Sequence, residues 1–422
     1  MKPVNIAYGR KGKTINTPEH SVIVTPKEVL PLKEETTGIT AAIRNPINSP
    51  SLQEMVKGKN RVVITHSDIT RATPNDRILP ILLQEIEKAG VTRDKITLIN
   101  ALGTHRPQTP VELRTMLGDY VFENYRCLQH DAWKDDELVT VGTTSSGNSI
   151  RLNRKVMEAD LVIFTGFIEP HFFAGFSGGP KGALPALAGH ESVLTNHGYD
   201  NINNPKATWG ITDGNPIWEE MKEAALKINP LFLLNVTLNF KGEITGVFAG
   251  NIQKAHQKGC EFVRKSAMGA VDHAFDLVIT TNSGYPLDQN LYQTVKGMQA
   301  AKSIVKPNGT IILASACEEG LPPGSSYANF LSRCNSPSDV LTELQKPGVS
   351  IQDQWQAQIQ AQILNHAKVF VYSEGLSERE IKDSLLIPTH DIETTVAELN
   401  PRTICVLPYG PLTIAYIREH NG

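Results

Sequence analysis

The chain has 422 residues, more than one hydrophobic core usually supports, so we expect two domains. A formal net charge of −3, with 20% charged residues, provides no basic surface for nucleic acid or an anionic membrane. No apolar run is long enough to cross a bilayer, no signal-peptide core follows Met1, and the five cysteines are scattered. We therefore predict a cytoplasmic enzyme without a disulfide framework or a zinc knuckle.

Strand and helix patterns alternate along the first part of the chain. Residues 5–24 predict short strands around a turn at Gly9 to Gly12. Short β-branched or apolar runs then predict strands, and capped or periodic segments between them predict helices. The predicted strands are 61–65, 95–101, 160–165 and 232–238, and the predicted helices are 76–89, 252–266 and those beginning at Thr109-Pro110 and Asn215-Pro216.

A second alternating series predicts strands at 277–280, 310–314, 369–372 and 403–407, with a helix over 291–305. Such alternation is typical of an α/β fold with mainly parallel sheets, whose binding loops lie at the carboxyl ends of the strands. We place the boundary near residues 268–272, between an N-terminal domain of residues 1–270 and a C-terminal domain of residues 271–422. We expect the active site in the cleft between the two domains.

Candidate site residues follow three predicted strands of the first domain. His66 to Arg71 follows the first strand, Gly103 to Pro107 the second, and Gly166 to Lys181 the third. Because loops at one edge of a parallel sheet converge, we expect these three loops to contribute to one ligand site.

The most distinctive segment is Phe176-Ser177-Gly178-Gly179-Pro180-Lys181-Gly182, which lies between His171 and His197. Glycines remove side chains where the backbone approaches another group, often an anion such as phosphate. A lysine after such a loop can hold a phosphate or bond covalently to a cofactor. The two histidines can move protons or bind a metal. We interpret this segment as a cofactor-binding loop.

Each candidate also has a purely structural interpretation. His105 could be a loop histidine bonded to backbone, and His171 a satisfied buried histidine. The segment Asp68-Ile69-Thr70-Arg71 could cap the helix at 76–89 and form a salt bridge, bind ribose and phosphate, or grip a carboxylate through its arginine. Tyr292 and Lys296, four residues apart, could simply lie on a polar helix face.

Spacing argues against three common motifs. His190-Glu191 lacks a second histidine four residues after the first, because residue 194 is leucine. The glycine loop lacks Gly-x-x-x-x-Gly-Lys-Ser/Thr spacing, and no Gly-x-Gly-x-x-Gly follows a predicted strand. A zinc protease, a nucleoside-triphosphate loop and an ordinary dinucleotide fold are therefore disfavoured.

The order of these motifs resembles that of the nickel-dependent lactate racemase family. The resemblance covers most of the chain, and the spacing of histidine, glycine loop, lysine and histidine is its most specific part. The shared residues are Asp68-Ile69-Thr70-Arg71, Gly103-Thr104-His105, His171 with Gly175 to Lys181, His197, Tyr292-Gln293-x-x-Lys296, and Trp355.

The resemblance implies a nickel pincer nucleotide as cofactor (nickel pyridinium-3,5-bisthiocarboxylate mononucleotide), attached covalently at Lys181. It implies that His197 completes the nickel coordination. It also implies that His105 and His171 are the acid/base residues, one on each face of the substrate. Further cofactor contacts would come from Asp68, Ile69, Thr70, Arg71, Ser177, Gly178 and Gly179, and substrate contacts from Arg71, Tyr292, Gln293, Lys296 and Trp355.

The implied reaction is the interconversion of D- and L-2-hydroxy acids, with lactate as the leading substrate, by proton-coupled hydride transfer. Removing the carbon-bound proton would place a second negative charge beside a carboxylate, and moving a hydride avoids that charge. One histidine takes the hydroxyl proton, and the planar 2-oxo acid is reduced again on its other face, which requires two opposed bases. The sulfur donors belong to the cofactor and nickel readily accepts an imidazole, so no cysteine cluster is needed.

Alternatives remain at this point. The substrate could be a larger 2-hydroxy acid (aromatic, dicarboxylic or sugar acid), and Ala186, where many members are expected to have glycine, could alter the cofactor pocket. The protein could be a non-catalytic carrier of the nickel nucleotide, although a carrier has no need of both His105 and His171. It could also be a cofactor-free sugar-phosphate enzyme. The resemblance further implies transient contact with the enzymes that mature the cofactor.

Overall fold

The computed structural model describes residues 1–321, 324–346 and 348–418. Its strands are β1 (Lys2–Ile6), β2 (Lys13–Thr17), β3 (Val22–Ile23), β4 (Val62–His66), β5 (Ile96–Asn100), β6 (Arg126–Gln129), β7 (Leu138–Thr143), β8 (Ser149–Asn153), β9 (Leu161–Phe167), β10 (Pro170–His171), β11 (Gly175–Phe176), β12 (Leu231–Leu238), β13 (Ile244–Gly250), β14 (Met268–Val271), β15 (Phe275–Thr281), β16 (Val305–Ala314), β17 (Lys368–Tyr372), β18 (Ile387–Thr389), β19 (Ile404–Leu407) and β20 (Ile414–Ile417).

Its helices are α1 (Glu35–Arg44), α2 (Leu52–Val56), α3 (Asn75–Lys88), α4 (Pro110–Leu117), α5 (Asp119–Asn124), α6 (Arg154–Met157), α7 (His190–Asn196), α8 (Tyr199–Asn203), α9 (Pro216–Ala225), α10 (Ile252–Ala267), α11 (Leu291–Lys302), α12 (Ser326–Leu331), α13 (Pro337–Leu344), α14 (Gln354–Leu364), α15 (Glu378–Asp383) and α16 (Ile392–Leu399). No helix in these described stretches is long and apolar enough to cross a membrane.

Local chemistry explains where several helices begin. At α4 the Thr109 hydroxyl accepts a hydrogen bond from the Glu112 amide, and the Glu112 carboxylate accepts one from the Thr109 amide. This is the predicted capping box, which satisfies two amides that the first helical turn leaves unpaired. At α9 the Asn215 side chain accepts from the amides of Ile217 and Trp218. Both predicted helix starts are confirmed.

One compact unit comprises Glu28–His197 and Asn204–Arg264. Its six-stranded sheet has the order β13-β12-β9-β4-β5-β6 and is parallel except for β13, which pairs antiparallel with β12. Strands β9, β4 and β5 are neighbours, and all residues of β4 and β9 are buried. A strand covered on both faces reads as a continuous apolar run, which explains why the sequence predicted these strands. The loops that follow the three strands therefore start side by side.

The other compact unit comprises Met1–Lys27, Gly198–Asn203 and the chain from Lys265 onward. Its six-stranded sheet has the order β18-β17-β16-β15-β19-β3, and every pairing in it is parallel. The α/β class with mainly parallel sheets is thus confirmed. The predicted helix over 291–305 is too long, because α11 ends at Lys302 and Val305 begins strand β16, where it pairs with Phe275.

This division differs from the single boundary expected near residues 268–272. Strand β3 pairs with β19 at the edge of the sheet just described, and the β1–β2 hairpin buries Val4, Ile6 and Ile15 in the same hydrophobic cluster as Leu277. The short helix α8 is attached to this unit by hydrogen bonds from Gln345 and Gln358 to Tyr199. These contacts join residues far apart in the chain, so a boundary read along the sequence misses them.

Candidate active site

The loops after β4 and β5 meet through one side-chain pair. The Nδ1 atom of His105 is hydrogen bonded to the Asp68 carboxylate. The other oxygen of that carboxylate accepts hydrogen bonds from the Thr70 amide at 2.8 Å and the Thr70 hydroxyl at 2.6 Å. Asp68 therefore does not cap α3, whose first turn has no side-chain cap. The carboxylate orients the imidazole of His105 instead.

The charge state of Asp68 follows from these contacts. Burial by itself raises the pKa of this carboxyl group, but the charge and hydrogen bond of His105, together with the charge of Arg71, outweigh burial. The pKa is lowered well below its usual range, so Asp68 is a carboxylate at neutral pH. Among the residues that the structure describes, the buried Nη1 atom of Arg71 has no hydrogen-bond partner. A buried guanidinium nitrogen without a partner fits a site for an anionic group.

The glycine loop is held by two side chains from other elements. The Gly179 amide donates to Asn235 Oδ1 on β12 at 2.7 Å, and His256 Nε2 on α10 donates to the Ser177 carbonyl at 2.8 Å. Gly178 and Gly179 have φ values of 73° and 52°. A Cβ on Gly178 would lie 2.5 Å from Asn235 Oδ1, and one on Gly179 would overlap the His256 ring.

This geometry gives a different reason for glycine at positions 178 and 179. The sequence interpretation attributed them to the approach of an anion, whereas here protein atoms approach the loop closely. Glycine is also favoured because L side chains rarely adopt these positive φ angles. The loop backbone is therefore a packed support for Lys181, which lies in the 3-10 turn Gly179–Gly182.

Lys181, His171 and His197 share one aromatic neighbour, Phe173. The ring of Phe173 is 4.5 Å from the His171 ring and 5.1 Å from the His197 ring (centroid to centroid), edge-on at 82° in both cases. Lys181 Nζ lies over the same ring, 5.5 Å from its centroid. The order histidine, glycine loop, lysine and histidine, noted in the sequence, thus folds into one cluster around a buried phenyl ring.

His197 follows the last residue of α7, and its amide donates to the Val193 carbonyl at 2.9 Å. Burial, and then the positive charge of Lys181, lower the pKa of this histidine to about 3. His197 is therefore neutral at physiological pH. A neutral imidazole is the form that binds a metal ion, so the side chain is suited to a ligand role.

His171 lies in a two-stranded hairpin, where β10 pairs with β11. Its Nδ1 accepts a hydrogen bond from the Ala174 amide at 3.3 Å. This bond leaves Nε2 to carry the proton of the neutral ring, the opposite arrangement to His105, where Nδ1 faces a carboxylate. The two histidines are therefore held as different tautomers.

The candidate substrate-binding residues on α11 and α14 belong to the unit that contains β15 to β19, and they contact one another. Lys296 Nζ donates to Gln293 Oε1 at 2.8 Å, and Trp355 Nε1 donates to the Tyr292 hydroxyl at 3.0 Å. Gln293, Lys296 and Trp355 are buried. The alternative that Tyr292 and Lys296 lie on an ordinary solvated helix face is therefore wrong.

The sequence analysis missed three residues that support the site and assigned a different role to a fourth. Phe173, Asn235 and His256 were not selected, and Asp68 was selected as a nucleotide contact rather than as the partner of His105. The aromatic pair beside His171 was a signal for Phe173. A polar residue within the apolar run 231–238 was a signal for Asn235, since a buried amide needs hydrogen-bond partners.

The chain matches the lactate racemase N-terminal domain over residues 8–210 and the lactate racemase C-terminal domain over residues 271–406. It is 38% identical to a curated lactate racemase of Thermoanaerobacterium thermosaccharolyticum, over 99% of this chain and 100% of that protein. A curated lactate racemase of Lactiplantibacillus plantarum is 40% identical over 81% of this chain and 80% of that protein. The solved structure of the lactate racemase apoprotein from T. thermosaccharolyticum aligns with a TM-score of 0.91 and 36% identity, over 99% of this chain and 100% of that chain.

The fold and the relatives together define an isomerase of the racemase class. More particularly, the chain belongs to the lactate racemase family. The resemblance drawn from its motifs is confirmed.

Proposed function

We propose that this protein racemises lactate, using a nickel pincer nucleotide attached covalently at Lys181 and coordinated by His197. The observation that carries the proposal is the grouping of Lys181, His197 and His171 around the ring of Phe173. The names of the two curated relatives support lactate as the substrate.

The residues present fit such a group. Lys181 offers an amine for the covalent bond, His197 is a neutral imidazole, and the partnerless Nη1 of Arg71 suits a phosphate or a carboxylate. Asp68 to Arg71 and Ser177 to Gly179 would line the nucleotide. When bound, the group would supply the acceptor for the substrate hydride.

His105 and His171 would handle the hydroxyl proton of the substrate. With Nδ1–H of His105 directed at the Asp68 carboxylate, Nε2 is the basic nitrogen, and the carboxylate holds the ring in that tautomer and orientation. In this structure Nδ1 of His171 accepts from the Ala174 amide at 3.3 Å and Nε2 carries the proton of the neutral ring. His171 would take the hydroxyl proton once that long hydrogen bond is released, which frees the basic ring nitrogen. The two positions would exchange the roles of acid and base as the substrate changes from one enantiomer to the other.

Positive side chains would orient the substrate carboxylate. Arg71 and Lys296 would contact it through charge-assisted hydrogen bonds, and Gln293 would hold Lys296 as it does here at 2.8 Å. Tyr292 and Trp355, bonded to each other, would limit the size of the substrate.

The test begins with protein produced together with the cofactor-maturation enzymes. Intact mass, nickel content and peptide mapping should show an adduct at Lys181 and nickel that is partly lost in His197→Ala. Lys181→Arg should lack the adduct, and Lys222→Arg, on α9, should retain it. An unmodified Lys181 in matured protein would reject the covalent cofactor.

Activity is then measured with D- and L-lactate and, in parallel, with aromatic, dicarboxylic and sugar 2-hydroxy acids. Racemisation of lactate supports the proposal. Turnover confined to a larger acid would show that this acid, and not lactate, is the substrate. In a single turnover, followed by cofactor absorbance, His105→Ala and His171→Ala should each retain reaction with one enantiomer, and not the same one. Bound cofactor with no turnover of any acid would indicate a carrier.

A further inference from the structure

One buried phenyl ring separates two residues with different proposed roles. Phe173 meets the imidazoles of His171 and His197 through edge-on contacts with the same interplanar angle of 82°. Edge-to-face packing is a favoured and directional arrangement of aromatic rings. The two imidazoles therefore share this ring as a common neighbour.

Phe173 is itself held in place. Its carbonyl accepts a hydrogen bond from Asn215 Nδ2 at 2.8 Å, and the Asn215 side chain also caps α9. The ring of Phe172 packs against it at 4.6 Å and in turn contacts Trp209 at 6.1 Å. Phe173 therefore has little freedom to turn away from the two histidines.

We propose that Phe173 is a positioning residue that sets the distance and angle between the proton-transferring His171 and the nickel-coordinating His197. The inference rests on the proposed function, because it assigns a purpose to the spacing of those two imidazoles. A proton-transfer group must lie within hydrogen-bond reach of the substrate hydroxyl, and the metal ligand fixes where the cofactor lies. A rigid spacer between the two rings keeps these requirements compatible.

The neighbouring Phe172 provides a matched control. It is equally buried and contacts the His171 ring at 4.9 Å, but the ring contact with His197 belongs to Phe173. Phe172→Leu and Phe173→Leu remove the same group of atoms from adjacent positions. A general loss of packing would affect both variants alike, whereas loss of the spacer would affect only the second.

The first measurement uses matured enzyme in a single turnover with each enantiomer. In Phe173→Leu, the enantiomer that His171→Ala no longer processes should react about tenfold more slowly or worse, since misplacing a reacting group by about 1 Å can cost about 10²-fold. The enantiomer served by His105 should react at nearly the wild-type rate, and nickel should dissociate faster in the presence of a chelator. Equal slowing of both enantiomers with unchanged nickel release would overturn the proposal.

The second measurement uses cofactor-free protein, so it does not depend on the proposed function. Histidines are modified with diethyl pyrocarbonate, and the rate at each site is followed by peptide mapping. Phe173→Leu should accelerate modification of both His171 and His197 relative to His105, whereas Phe172→Leu should accelerate His171 alone. Wild-type reactivity of His197 in folded Phe173→Leu would overturn the spacer role.

The two measurements separate the possible failures. Wild-type protein that racemises no acid but shows the expected labelling would reject the proposed function and retain the spacer. Phe173→Met, which keeps much of the volume without the ring, replaces Phe173→Leu if the leucine variant does not fold. The rates, nickel release and labelling expected for Phe173→Leu are expected for Phe173→Met as well, and the same contrary results would overturn the proposal.

Discussion

The imidazole of His105 is hydrogen bonded through Nδ1 to the carboxylate of Asp68, which lies 37 residues earlier in the chain. The pair joins the loops that follow two neighbouring strands, β4 and β5. A carboxylate in this position selects one tautomer of the ring and fixes its orientation. Asp68 is therefore a positioning residue for the proposed base, in addition to any contact with the nucleotide.

Replacing Asp68 by asparagine should reduce turnover by about 10²-fold or more, in the range for loss of a well-positioned acid/base. The half-reaction that depends on His105 should slow far more than the one that depends on His171, as measured by single-turnover absorbance with each enantiomer. Asp131→Asn, which alters an exposed carboxylate bonded to the Trp133 amide at 2.9 Å, should leave both rates unchanged. Equal slowing of the two half-reactions would show that Asp68 does not act specifically through His105.

Gly179→Ala should disturb the support of Lys181. The new Cβ would overlap the His256 ring at a positive φ of 52°, so the unfolding free energy should fall by about 1–3 kcal/mol. Gly58→Ala has a positive φ of 74° with no atom within 4 Å, so it isolates the backbone cost alone. Denaturant titration should show a larger loss for Gly179→Ala than for Gly58→Ala, together with less cofactor attached at Lys181. Equal losses would mean that His256 moves aside without cost.

Acid should destabilise the cofactor-free protein in a defined window. Burial lowers the pKa of His66 and His256 to about 4, from an ordinary value of 6.5. Between about pH 6.5 and 4 the unfolded chain therefore binds more protons than the folded chain. The free energy of unfolding falls as the pH falls, by up to about 1.4 kcal/mol per pH unit for each histidine.

Thermal unfolding between pH 7 and 4 checks this sign. His256→Gln can still donate a hydrogen bond to the Ser177 carbonyl but does not titrate, so its midpoint should depend less on pH than that of the wild type. His390→Gln, at a side chain that is 80% exposed, should keep the wild-type dependence. If His256→Gln and the wild type lose stability in parallel, His256 is not protonated on unfolding in this window.

Lys296→Ala should reduce catalytic efficiency by about tenfold or more, because a charge-assisted hydrogen bond is worth about 1.5–3 kcal/mol. The loss should be largest for substrates with a free carboxylate, measured as kcat/KM with each enantiomer. Lys302→Ala removes another lysine from the same helix, α11, and should change kcat/KM little. Wild-type efficiency in Lys296→Ala would exclude this side chain from substrate binding.

Much of the fold was predictable because the relevant signals are local. Strands β4 and β9 are fully buried and begin with the apolar runs Val62 to Ile64 and Leu161 to Phe164, and the caps at Thr109 and Asn215 use residues within three positions of one another. The candidate site was predictable for a related reason. Parallel strands carry their loops to one edge, and the residues after β4, β5 and β9 are contiguous segments of chemically distinctive side chains.

The amino-acid sequence by itself determined the α/β class and most strands and helices, and it supplied the candidate site residues, since periodicity, capping and residue chemistry act over a few neighbouring positions. Only the tertiary structure decided that Asp68 orients His105, that Asn235 and His256 hold the glycine loop, and that Phe173 separates His171 from His197. It also placed the first 27 residues with the C-terminal sheet. Each of these pairings joins elements that packing brings together, and no local pattern of polarity specifies which distant surface will be buried against which.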